Sequence, residues 1–220
     1  MIQYVFLILL SIITYMSAFK NNIPTCDRFI RNVYLYLATA VCLVGVFVNT
    51  IPVAATQYIV LAIIASFVSL ILMFLFKTSV FISHVLWLLF ILSISVIMLP
   101  YIHTSPALQS SIISTGIIFI MMSFIAIQYK SFFNKYTNQF SIGLFVALIA
   151  IIFTEFVLLF THQYHPNKSI LSYFVIILFS IFIAYDTNRL SHYAKQCVKS
   201  PNYPQLSTHL FLDIINLLIR

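Results

Sequence analysis

Charge is scarce in this sequence. Charged residues make up 7% of its 220 positions, and only four of them are acidic. A soluble domain carries about a quarter charged residues, so the scarcity excludes a soluble enzyme, a disordered chain and a small secreted module. Glycine is scarce too: three residues cannot build a glycine-rich loop that binds phosphate.

Cysteine is equally sparse. Cys26, Cys42 and Cys197 are scattered, without the C-x-x-C spacing of a zinc or redox site. We therefore expect all three to be ordinary reduced residues. His162 and His165 offer two ligands for a metal, but His103 is the only other histidine predicted on that side of the membrane, so the metal hypothesis is weak.

Long apolar runs fill the sequence instead. Apolar and aromatic residues account for 62% of it, and a helix needs about 20 apolar residues to cross a bilayer. The short segments between the runs leave no room for an extramembrane domain, which predicts an all-α integral membrane bundle. The eight runs are 2–19, 33–51, 58–76, 79–99, 109–128, 141–161, 170–187 and 206–219.

The basic residues fit a membrane topology. Cytoplasmic loops are enriched in lysine and arginine. Successive linkers between the runs alternate strictly between many and few of these residues. This distribution explains the net charge of +7 better than binding to nucleic acid does, because no basic patch is present. Nine basic residues lie on one predicted side, at Lys20, Arg28, Arg31, Lys77, Lys130, Lys135, Arg189, Lys195 and Lys199, against Lys168 and Arg220 on the other.

The first and last runs are unusual. Run 2–19 has no positive charge before it and three after it, which favours a retained span over a cleaved signal or an interfacial helix. Run 206–219 contains Asp213, and the cost of burying one aspartate offsets most of the gain from its apolar side chains. We expect this run to dock against other helices without crossing the whole bilayer.

An acid inside an apolar run is a candidate functional residue, because ionising it in a membrane is costly. Helical spacing gives the run one narrow polar face, which is predicted to face the bundle interior or a water-filled path. Its members are His209, Asp213, Asn216 and Arg220. The alternative is a carboxyl that only packs between helices. Glu155 lines the mouth of a path or is a protonated acid bonded to a neighbouring hydroxyl.

Asp186 ends the preceding run. It is either solvated and paired with Arg189, or close to Asp213 if the short connection makes the two helices antiparallel neighbours. Two carboxyls in a poorly solvated site cannot both ionise cheaply, so they titrate as a coupled pair. Such a pair is a proton sensor.

The sequence around these acids resembles the Bax inhibitor family. Tyr185-Asp-Thr187 followed by Leu210-Phe-Leu-Asp-Ile-Ile-Asn-Leu217 is similar to the family's C-terminal signature. Three weaker matches occur in the right order, at Arg28–Tyr34, Phe140–Gly143 and Phe179-Ser180. The sequence departs from the family in its low glycine content and in its extra N-terminal hydrophobic segment.

The resemblance implies a seven-helix bundle whose short C-terminal helix is central, in a domain spanning 28–220 after an N-terminal hydrophobic segment and linker, 1–27. It implies that Asp186 and Asp213 form a pH-responsive latch on a calcium leak, contacting calcium transiently. A basic residue that closes the latch is either Lys77 or Arg31. Members lie in the bacterial inner membrane or in endoplasmic reticulum or Golgi membranes, where eukaryotic members lower stored calcium and protect against cell death.

The leading hypothesis is thus a passive cation leak, with lipid, calcium and protons as its partners and no cofactor. An intramembrane aspartyl protease needs Gly-x-Gly-Asp, whereas this sequence has Phe211-Leu-Asp213, so we do not expect an enzyme. A third hypothesis is a non-conducting scaffold that binds membrane proteases or death-pathway proteins.

Overall fold

The computed structural model describes residues 2–76, 78–104, 108–161, 164–197 and 201–219. These residues form nine α-helices, one 3-10 helix and one two-stranded hairpin. The helices are α1 (Ile2–Ala18), α2 (Phe29–Thr50), α3 (Ile59–Leu75), α4 (Val80–Thr104), α5 (Leu108–Gln128), α6 (Lys130–Lys135), α7 (Thr137–Phe160), α8 (Tyr164–Lys195) and α9 (Tyr203–Leu218). The hairpin pairs β1 (Phe19–Lys20) with β2 (Ile23–Pro24), and the 3-10 helix is Val53–Tyr58.

The prediction of an all-α membrane bundle is confirmed. Six helical segments among the described residues are long and apolar enough to cross a bilayer, and they coincide with the six inner apolar runs. α1 and α9, with 17 and 16 residues, are shorter than these segments. The six segments are Phe29–Thr50, Val53–Leu75, Val80–Ile102, Ser110–Gln128, Thr137–Leu158 and Ser169–Lys195.

The chain forms two compact units. The first unit contains 1–106 and 193–211, and the second contains 107–192 and 212–220. α9 therefore begins in the first unit and ends in the second. In the first unit α3 packs on α4, while α2 packs on α1 and α4.

Serine, not glycine, allows close packing in the first unit. Ser69 and Ser95 are fully buried on α3 and α4, and each Oγ donates a hydrogen bond to a carbonyl of its own helix. Small side chains let membrane helices approach closely, and the internal hydrogen bond satisfies the hydroxyl. At each of the three glycines, no group from another part of the described chain lies within 4 Å of the position that a Cβ atom would take. The low glycine content is thus compatible with the packing of α3 on α4.

The hairpin between α1 and α2 depends on its turn residues. Asn21 and Asn22 both have positive φ, at 53° and 61°. A two-residue turn of this type matches the twist of the flanking strands, and asparagine tolerates the left-handed conformation better than most residues. A further hydrogen bond, from Thr25 N to Ala18 O at 2.8 Å, continues the pairing. The 19–28 linker therefore contains a hairpin with a regular two-residue turn.

The start of α9 is fixed by its sequence. Asn202 Oδ1 accepts a hydrogen bond from Gln205 N at 3.2 Å, which caps the helix, and Pro204 occupies the first turn, where a missing N–H costs nothing. Tyr203 is 1% exposed. Its hydroxyl donates to Thr25 O and accepts from Asn32 Nδ2, so it joins α9 to the linker before α2.

Replacing Tyr203 with phenylalanine should lower the free energy of unfolding by about 1–2 kcal/mol, because Thr25 O and Asn32 Nδ2 each lose a partner. Denaturant unfolding in detergent micelles measures this change. Tyr173→Phe is the control, since Tyr173 is 69% exposed on α8 and its hydroxyl should contribute little. Equal stability of the two variants would contradict the role of the Tyr203 hydroxyl.

The expectation of three reduced cysteines is wrong for two of them. Cys26 and Cys197 form a disulfide, whereas Cys42 is a free thiol on α2. The partners are 171 residues apart in the sequence: Cys26 lies in the linker before α2, and Cys197 lies two residues after α8 ends at Lys195. Spacing rules for metal and redox motifs cannot detect such a pair, because they test only nearby cysteines.

Candidate functional site: the aspartate pair of the second unit

Asp213 is buried in the second unit. It is 4% exposed, and among the described residues its Oδ2 has no hydrogen-bond partner. An unpaired buried polar group costs about 1–3 kcal/mol, and more if it is charged. Asp213 is therefore held in its neutral form more readily than an aspartate in water.

α8 brings Asp186 to the same site. Leu217 of α9 joins a buried cluster with Val175, Phe179 and Ile183 of α8. Asp186 follows Ile183 by one turn, and Asp213 precedes Leu217 by one turn, so both carboxyls extend from the same end of this cluster if the helices run in opposite directions. The two carboxyls interact electrostatically. Asp186 is half-buried, which makes it the better hydrated of the two.

The surroundings of Asp213 favour its neutral form. Asp213 lies on α9, which is not one of the six candidate spans. Burial, and to a smaller extent the carboxylate of Asp186, raise the pKa of the Asp213 carboxyl well above its ordinary value. Because the two groups are coupled, the apparent pKa values at which they lose their protons belong to the pair and not to either aspartate alone. Chemically, the arrangement can retain a proton that isolated carboxylates would release.

Two further apolar clusters pack α8 of the second unit against α5, α6 and α7. Leu144 of α7 packs with Leu178 and Tyr185 of α8, and Ala126 of α5 packs with Phe133 and Ala184. The α8 members of these clusters, Leu178, Ala184 and Tyr185, precede Asp186 in the sequence. The acid pair is thus a polar feature within a hydrophobic unit.

Sequence analysis missed a polar group at the end of α8. Asn134 Oδ1 of α6 accepts hydrogen bonds from Asn188 Nδ2, at 3.0 Å, and from His192 Nε2, at 2.6 Å. Thr187 faces Ser123 of α5, with 3.4 Å between their hydroxyls. Asn188 Oδ1 is buried without a hydrogen-bond partner among the described residues. Hydropathy assigned the residues after 187 to a loop. Only the spacing of Asn188 and His192 indicates that they share one face of a helix.

The other predicted site residues have separate positions. Asn216 is half-buried in the second unit, and its Nδ2 donates to Leu212 O of its own helix at 2.8 Å. Glu155 is half-buried on α7. His209 is exposed in the first unit. Their roles in lining a path stay predictions.

The structure describes one of the two basic candidates. Arg31 belongs to the first unit, where its guanidinium donates to Ser17 Oγ of α1. Lys77 lies outside the described residues, as do the side chains of His162 and His165. In the part of the chain that the structure describes, no three His, Cys, Asp or Glu side chains are grouped to hold a metal ion.

Comparison with known proteins gives a family match. No curated protein matches the sequence, and no solved structure matches the fold. The family model described as Inhibitor of apoptosis-promoting Bax1 matches residues 26–220, a stretch that includes both aspartates, all six candidate spans and α9. The chain therefore belongs to the Bax inhibitor family and is a multi-pass membrane protein.

Proposed function

We propose that the protein is a pH-sensitive passive leak for calcium, gated by Asp186 and Asp213. The observation that carries this proposal is the burial of Asp213 beside a second aspartate that interacts with it electrostatically, with a carboxyl oxygen that has no hydrogen-bond partner among the described residues. A carboxyl serving only to pack helices would be expected to have all its hydrogen bonds satisfied. Family membership supports the proposal, because the resemblance implies the same pair.

In the closed state the pair holds one shared proton. The neutral carboxyl of Asp213 is compatible with the apolar clusters of α7 and α8, so the helices stay packed against one another. The single remaining charge resides mainly on Asp186, which is half-buried and can be hydrated. The closed state therefore requires no isolated charge in the dry interior.

In the open state both carboxyls are ionised. Two like charges in a poorly hydrated site repel each other, and hydration of the second charge favours a wetter conformation. Calcium binds hard oxygen ligands such as carboxylates and amide carbonyls. Asn216, whose Nδ2 is engaged by its own helix, would offer its Oδ1 to a passing cation. The negative charge of the pair selects cations over anions.

This activity would lower the calcium content of a store or transport calcium across a plasma membrane. For a family member, the relevant membrane is a bacterial inner membrane or that of the endoplasmic reticulum or Golgi, with protection against stress or cell death as the consequence. The chain's own residues act as gate and ligands in this proposal, and no catalytic step is involved.

The test is calcium efflux from liposomes containing the purified protein, measured over a series of pH values. We expect efflux to increase as the pH rises, and protein-free liposomes give the background. Efflux that does not exceed background at any pH, together with recovery of a partner protein by crosslinking in native membranes, would instead favour a scaffold.

A further inference from the structure

A residue between α8 and α9 is tied covalently to the linker before α2. Cys197, six residues before Tyr203, is bonded to Cys26, which directly follows Thr25. The Tyr203 hydroxyl donates to Thr25 O, and its ring lies 5.7 Å from that of Phe29. The disulfide and the tyrosine thus hold the same two segments together at neighbouring positions.

The linker before α2, which carries Cys26, is held in place by hydrogen bonds. Thr25 N bonds to Ala18 O, and Asn32 Nδ2 donates to Asp27 O at 2.9 Å. Near the other end, Asn202 Nδ2 donates to Ser83 Oγ of α4 at 2.7 Å. A bond between two anchored segments restricts the position and tilt of the first turns of α9. α9, the helix whose first turns are restricted in this way, also carries Asp213.

The disulfide lies on the side of the membrane where disulfides are least expected. Lys20 and Arg28 flank Cys26, and Arg189 and Lys195 precede Cys197, so the distribution of basic residues places both cysteines on the cytoplasmic side. Thiols are kept reduced there, and the disulfides that form are usually transient or redox-sensing. Both cysteines are half-buried, so a small thiol has access from the surface.

We propose that Cys26 and Cys197 form a redox-sensitive clamp on α9, and that reducing it changes the pH at which the leak opens. The second part rests on the proposed function. The reductant is a dithiol: one of its thiolates attacks a sulfur of the disulfide, forming a mixed disulfide and releasing the other cysteine as a thiolate. Its second thiol then displaces the first cysteine. Two electrons pass from the dithiol, which is oxidised to a disulfide, to the two cysteines.

The tether itself is tested by hydrogen exchange on the full chain in detergent, with dithiothreitol as the probe. Reduction should speed amide exchange in a peptide covering 203–212 by about tenfold, because the crosslink no longer opposes local opening. A Cys26→Ser/Cys197→Ser variant should exchange at the fast rate with or without dithiothreitol. Cys42→Ser is the matched control, since Cys42 is a free thiol on α2 and its loss should leave the response intact.

Three results would overturn the clamp or its effect. The first is full labelling of Cys26 and Cys197 by a maleimide in protein purified without reductant, because no bond would then exist. The second is exchange in 203–212 that does not change when the bond is reduced. The third, pH-dependent calcium efflux with the same midpoint before and after reduction, would overturn the effect of the clamp on the leak.

The failures of the two proposals are distinguishable. If wild-type liposomes show no pH-dependent efflux, the proposed function fails, and the exchange experiment alone decides whether the clamp exists. If efflux depends on pH and dithiothreitol shifts its midpoint in the wild type but not in the double serine variant, both proposals are supported.

Discussion

Calcium efflux from liposomes containing the Asp213→Asn variant should not change with pH and should stay at the low rate that the wild type shows in acid. Asparagine has nearly the shape of a protonated aspartate and cannot ionise, so it fixes the pair in its single-charge state. If efflux through the wild type requires the loss of one proton, the efflux rate rises by at most about tenfold for each pH unit below the midpoint. The variant should lose that entire rise.

The Asp186→Asn variant should behave differently. Asp213 keeps its proton-binding carboxyl but loses the neighbouring charge that raises its pKa, so efflux should still depend on pH, with a midpoint at lower pH. The Asp27→Asn variant is the matched control, since Asp27 is exposed in the linker before α2 and should leave the profile unchanged. A wild-type profile in the Asp213→Asn variant would exclude the latch.

Hydropathy predicted the helices of the membrane-spanning segments well because each is a continuous apolar run. It placed the end of the run before α9 at 187, whereas α8 continues to Lys195. The added residues include Asn188, which is buried and bonded to Asn134. A hydropathy scale assigns such a side chain to water, because it does not include the hydrogen bond that a partner supplies after folding.

The candidate site could be predicted only in part, for a similar reason. Helical spacing and the family signature identified Asp186 and Asp213, since both features are local in the sequence. The contact of Arg31 with Ser17 depends on α1, which precedes the stretch matched by the family model, so the resemblance gave no information about it. The bond between Cys26 and Cys197 depends on how two distant linkers fold, and no local pattern records it.

The Asp213→Asn variant should also be more stable than the wild type at neutral pH. The folded state raises the pKa of Asp213, so between the ordinary aspartate pKa and this higher value the folded protein retains a proton that the unfolded chain releases. Wild-type stability therefore decreases as the pH rises through that interval, and each tenfold change in acidity corresponds to about 1.4 kcal/mol.

The variant lacks this contribution. Its unfolding free energy in detergent should exceed that of the wild type above the interval, and the difference should shrink toward zero at about pH 4, near the ordinary aspartate pKa. Asp27→Asn again serves as the control, because an exposed carboxyl gains little from substitution. A stability difference that is the same in acid and at neutral pH would show that the Asp213→Asn substitution alters packing alone, and the raised pKa of Asp213 would then contribute nothing to stability.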